Sequence, residues 1–225
     1  KLIHKADRIT DLANEARAYA KDSSRVDLII NNYYRKVEQV FGEEEMIDLM
    51  DKTMDSLNKV ERKENYQPIR IGLIGEIYTL IEPFVNLDIE KKLGHMGVVV
   101  EKSLTPTIWL DHHVLKFPFG SRDEREKHRL AKPYLETLVG GHGRETVGSA
   151  ISYANRGFDG AIQLLPLNCM PEIAVKPILG KINGDLEFPI MTLILDEMTG
   201  EAGYITRLEA FVDLVNRRRE EDSVV

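Results

Sequence analysis

Cysteine is almost absent: Cys169 stands alone among 225 residues. One cysteine excludes an internal disulfide framework and fits a reducing, cytoplasmic compartment. It also excludes a [4Fe–4S] cluster held by the cysteines of this chain alone, because such a cluster takes several thiolates. Long apolar runs are missing as well, so neither a membrane span nor a secretory signal is predicted. Positive charge is in deficit, with 30 Lys and Arg against 37 Asp and Glu. A net charge of −7 argues against a nucleic-acid partner, whose footprint is a basic patch. The one basic cluster, Arg217-Arg218-Arg219, runs straight into Glu220-Glu221-Asp222 and reads as a solvated helix end. Glycine is nearly missing from the first 64 residues, where Gly42 is the lone example. That absence removes a common helix breaker.

What remains is enough for a sizeable core, since 43% of residues are hydrophobic. The length suits one large domain, or a domain with an appendage. Residues 1–65 read as a helical lead-in or linker. Apolar residues recur at helical spacing over Ala6–Ala20, Asp27–Phe41 and Glu43–Val60, with Leu28 and Phe41 counted on the inward face. The chain starts at Lys1 already in a helical pattern, which suggests a piece of a longer protein. The exposed helices at 28–60 also make a homodimer plausible.

Residues 66–225 alternate strand and helix. Ile69–Ile74, Val98–Glu101, Ala161–Leu165 and Pro189–Leu195 read as strands. Between them fall a helix capped by Asn86, a charged helix from Ser121 to about Leu138, and helices through Asn155 and Asn183. Gly75–Thr79 and Ser103–Gly120 read as loops, and Tyr204–Arg219 as a closing amphipathic helix. This pattern predicts an α/β fold: a small four-stranded parallel sheet, Rossmann/flavodoxin-like, with helices on both faces and an α-helical segment in front.

Such a fold puts the loops after the strands on one rim, where open α/β sheets bind ligands. Here the rim carries Glu76, Tyr78, Trp109, Asp111, His112, His113, Asn168, Cys169, Asp196, Glu197, Thr199 and Glu201. Cys169 lies between a strand end and Pro171, a residue suited to a first helical turn. Three readings of Cys169 stay open: a buried structural thiol, a metal or cluster ligand, or a nucleophile served by His112, His113 or His142. Asp111-His112-His113 offers metal-ligand types, but adjacent residues share a metal only on irregular backbone. Gly140-Gly141-His142-Gly143-Arg144 precedes a helix, so Gly141 and Gly143 backbone amides and Arg144 form a candidate anion site. It matches neither a Walker motif nor a dinucleotide fingerprint.

Four stretches carry a resemblance: GLIGEIYTLIEPFVN (72–86), GGHGRETVGSAI (140–151), LLPLNCMPEI (164–173) and LILDEMTGEAGYITRLEAFVDL (193–214). Together they resemble the C-terminal half of the 2-hydroxyacyl-CoA dehydratase-related family, which includes 2-hydroxyglutaryl-CoA dehydratase D-component-like proteins, benzoyl-CoA reductase subunits and the C-terminal region of large CoA-enzyme activases. The resemblance covers residues 69–219. It implies tandem Rossmann-like domains sharing a [4Fe–4S] cluster, with Cys169 as the metal ligand from this half. Glu76, Glu197 and Glu201 would then surround the cluster. The remaining ligands are expected in an N-terminal domain absent here, so this piece alone is expected to hold no cofactor.

Implied partners are that domain, an ATP-dependent activator protein and an acyl-CoA. Implied chemistry is low-potential electron transfer, in an anaerobic lyase. The non-enzymatic alternative is a regulatory or assembly module of a CoA-enzyme activase.

Overall fold

The computed structural model describes residues 2–110, 122–137 and 139–222. Its sheet has four parallel strands: β1 (Ile69–Gly75), β2 (Val98–Lys102), β3 (Gly160–Pro166) and β4 (Ile190–Leu195). Their order is β2-β1-β3-β4, which is the strand order of flavodoxin-like sheets. β1 pairs with β3 from Ile71↔Gly160 to Gly75↔Leu164. β3 pairs with β4 from Ala161↔Ile190 to Pro166↔Leu195. β3 is buried from Gly160 to Leu165, as expected of a strand covered on both faces.

The described residues fall into two compact units. One joins Lys1–Pro68 to Glu90–Val100, and the other joins Ile69–Ile89 to Glu101–Val225. In the first lie α1 (Leu2–Tyr19), α2 (Ser24–Val37) and α3 (Glu43–Asn58). Ile9, Leu12, Ala13, Ala16, Tyr33, Met50 and Leu57 form their shared core. Arg17 is buried among them and donates to Asp27 at 2.8 Å. The Asp27 carboxylate also meets His95 Nε2 at 2.9 Å and pairs with the Lys91 ammonium at 3.7 Å. Two inward assignments fail in this unit. Phe41 is exposed because α2 stops at Val37, before the periodicity ends, and Leu28 projects to solvent from α2.

In the second unit α4 (Ile77–Ile81) follows β1, and Asn86 accepts the Ile89 amide; α5 (Ile89–His95), which begins there, belongs from Glu90 onward to the first unit. α6 (Pro106–Leu110) is a short helix where the sequence read as irregular. α7 spans Arg122–Ala131, seven residues shorter than expected. After Ala131 the chain turns through Lys132-Pro133-Tyr134. Pro133 has no amide to continue the ladder. α8 (Gly143–Asn155), α9 (Met170–Asp185) and α10 (Glu201–Asp222) complete the unit, and α9 runs on past Pro177.

Helices cover both faces of the sheet. Ala161 belongs to a core with Val147, Ile151, Val175 and Ile182 of α8 and α9. The next residue back, Gly160, faces Phe211 and Val215 of α10. Neighbouring strand residues point to opposite faces, so α8 and α9 lie on one side and α10 on the other.

Candidate functional site

Strand order reverses between β1 and β3, so the connections that leave their paired carboxyl tips run to opposite sides of the sheet, the place where open α/β sheets bind ligands. Gly75 ends β1 with φ +129, and a Cβ there would sit 2.0 Å from the Leu164 carbonyl oxygen. Only glycine permits that approach. Glu76 then caps α4 rather than lying in a loop, because its carboxylate accepts the Tyr78 and Thr79 amides, both at 3.0 Å. The Glu76 amide donates to the Leu164 carbonyl at 3.0 Å, extending the pairing of the two tips.

Cys169 leaves the tip of β3 and occupies the N-cap of α9, half-buried. Its carbonyl accepts the Ile173 amide at 2.9 Å. Burial pushes its thiol above the ordinary value. The Glu172 amide pulls it down, and the Glu172 and Glu76 carboxylates push it up. The thiol is therefore protonated at neutral pH, against the thiolate that a helix N-terminus alone would favour. This disfavours the nucleophile reading. Glu197 is exposed and Glu201 opens α10, also exposed. Asp196 accepts the Met198 amide and the Thr199 hydroxyl, so both rim groups serve a turn. Asp111, His112 and His113 lie outside the described residues.

Beneath Cys169 runs a buried polar chain that the sequence did not announce. Glu172 is 1% exposed and accepts the Thr146 hydroxyl and the Gln163 amide, each at 2.8 Å. Gln163 in turn accepts the Thr192 hydroxyl at 2.9 Å. This explains a fully buried glutamine in an otherwise apolar central strand. Burial raises the Glu172 carboxyl, although the Gln163 and Thr146 hydrogen bonds oppose it.

Thr146 also lines a cavity of about 240 Å³ beyond the ends of β1 and β2. Gly75, Ser103, Leu104, Glu124, Lys127, Gly141, His142, Glu145 and Ser149 form the rest of its wall. Of the three residues read as an anion site, Gly141 lines this cavity. Gly143 instead packs against Pro171 and Val175, and Arg144 is half-buried with an Nε that has no hydrogen-bond partner. Two carboxylates in the wall, Glu124 and Glu145, weigh against a further negative charge there.

Glu124 and His128 share one face of α7 at i, i+4 spacing. His128 Nε2 lies 2.5 Å from Glu145 Oε1. The spacing of Glu124 and His128 was visible in the sequence, but their meeting with Glu145 required the fold.

No family model matches this chain, and no curated protein does either.

Proposed function

We propose that the Rossmann-like unit is the C-terminal lobe of a 2-hydroxyacyl-CoA dehydratase-like iron–sulfur protein. In this reading Cys169 furnishes one ligand to a [4Fe–4S] cluster, and cysteines of an upstream lobe furnish the others. The observation that carries it is the place of Cys169: half-buried just past the β3 tip, at the point where the strand order reverses. A thiol sealed in the core would have ended the idea. The four sequence stretches that resemble the family add to it.

The residues present fit one corner of a cluster and no more. A ligating cysteine must lose its proton. The raised thiol in this chain would give up its proton to solvent on ligating metal rather than ionise by itself. Glu76 is held by two backbone amides, so its part is to position the tip of β1 and set the local charge. When bound, a [4Fe–4S] cluster supplies one-electron chemistry at low potential. The buried Thr146–Glu172–Gln163–Thr192 chain fixes the first turn of α9, and with it the backbone that bears Cys169.

Anaerobic reconstitution of the protein with its upstream lobe tests the proposal. Iron and sulfide should bind at four each per protein, and Cys169→Ser should lower that content or leave an oxygen-labile residue of it. Equal iron and sulfide in parent and variant would overturn the assignment.

A further inference from the structure

We propose that Glu124, His128 and Glu145 form a binding site for a divalent cation of the zinc class, with a coordination position open to the adjoining cavity. The site is separate from Cys169 and independent of the iron–sulfur reading.

Donor chemistry comes first. One imidazole nitrogen and two carboxylate oxygens make a ligand set that suits zinc and its neighbours in the first transition row. One ligand atom from each of the three residues lies within 4.8 Å of the other two. Ligands on a tetrahedral zinc lie about 3.4 Å apart, from metal–ligand lengths near 2.1 Å. Small side-chain rotations reach that geometry, parting His128 Nε2 from Glu145 Oε1, now 2.5 Å apart, as a cation comes between them. The three residues come from two helices held rigidly together. A Cβ on Gly148 would fall 2.1 Å from the Lys127 carbonyl oxygen, so α7 and α8 touch backbone to backbone one turn from Glu145.

Two further observations point to something seated in the cavity. Ser149 lies one turn beyond Glu145, is 2% exposed and lines the cavity, yet its Oγ has no hydrogen-bond partner. Glu145 Oε2 is likewise buried without a hydrogen bond, although Oε1 of the same carboxylate meets His128. Buried polar atoms are normally satisfied. A cation at Glu145, carrying water into the cavity, satisfies the carboxylate directly and the hydroxyl through that water.

Charge agrees. Glu124 and Glu145 give the wall two negative charges against the one ammonium of Lys127. That ammonium is already engaged by Asp123 and the Ser103 carbonyl. His142 also lines the wall, and Arg144 neighbours it on α8. Three protein ligands with a fourth position facing a cavity is the arrangement of sites where zinc polarises a bound water or carbonyl. The ligand class at the open position is therefore a small neutral oxygen donor: water, or the carbonyl of an organic substrate.

Calorimetric titration of the whole 225-residue chain, stripped with chelator and then given Zn²⁺, tests this. One equivalent should bind. His128→Gln and Glu145→Gln should each weaken binding tenfold or more. Thermal melts with and without Zn²⁺ guard against a variant that merely unfolds: the metal should raise the parent's melting temperature and not that of a folded variant. Affinity and melting shift unchanged in folded His128→Gln and Glu145→Gln would overturn the site, as would failure of the parent to bind.

Discussion

The Thr146 hydroxyl and the Glu172 carboxylate meet at 2.8 Å, joining the wall of the cavity to the first turn of the helix that bears Cys169. Glu172 is the one carboxylate in that turn, and it turns inward rather than toward water. Because burial raises its folded pKa above the ordinary 4.5, the folded state binds its proton more tightly than the unfolded state. Its contribution to stability is complete below about pH 4.5 and is lost as pH rises through the raised value. Glu172→Gln carries no such dependence. The difference in melting temperature, variant minus parent, should therefore grow more positive from pH 4.5 toward 7. A difference that stays flat across that range would mean that Glu172 is not raised by its surroundings.

Gly148 and Gly180 should respond oppositely to alanine. At Gly148 the new methyl meets the Lys127 backbone at 2.1 Å, so α7 and α8 must part. We expect Gly148→Ala to destabilise the fold by about 1–3 kcal/mol, the usual range for overpacking. Gly180 lies inside α9 with nothing within 4 Å. Gly180→Ala should stabilise by about 0.5–1 kcal/mol, because alanine loses less backbone freedom in a helix. Urea denaturation of both variants checks the pair.

Asp27 is the keystone of the helical unit's polar core. Burial works to raise its pKa, but the Arg17 hydrogen bond and charge, with Lys91 and His95, bring it below 3.8. Its stabilisation is present above that ordinary value and lost as pH falls through the lowered one. Asp27→Asn should destabilise by about 2 kcal/mol, since it leaves the guanidinium of buried Arg17 without its counter-charge. Denaturation at pH 7 measures the loss, which should shrink as pH approaches 3.

Cys169 should alkylate with iodoacetamide at pH 7 more slowly than a free small-molecule thiol. Its pKa is raised and its side chain is half-buried, and the thiolate is the reacting form. A rate well above that of the free thiol would revive the nucleophile reading.

Sequence patterning located the sheet well. β3 and β4 were legible because apolar strands bounded by glycine and proline leave a strong local signal. The lone cysteine at a strand tip was legible for the same reason. α6 and the early end of α7 were not. A five-residue helix leaves almost no periodicity, and the charged stretch after Ala131 kept a helical composition after the backbone had turned. Glu172 was missed because an acidic residue in a first turn ordinarily faces solvent and the dipole. His128 and Glu145 lie 17 positions apart, so only the packing of two helices reveals them as neighbours.

The backbone contact at Gly148 and Lys127 also fixes a dimension. Where main chains touch with no side chain between them, rotamer changes cannot widen or narrow the gap. The cavity next to that contact behaves as a calliper with a locked jaw: it can sort occupants by size, and exchanging side chains on the far faces of the two helices should leave its gauge untouched.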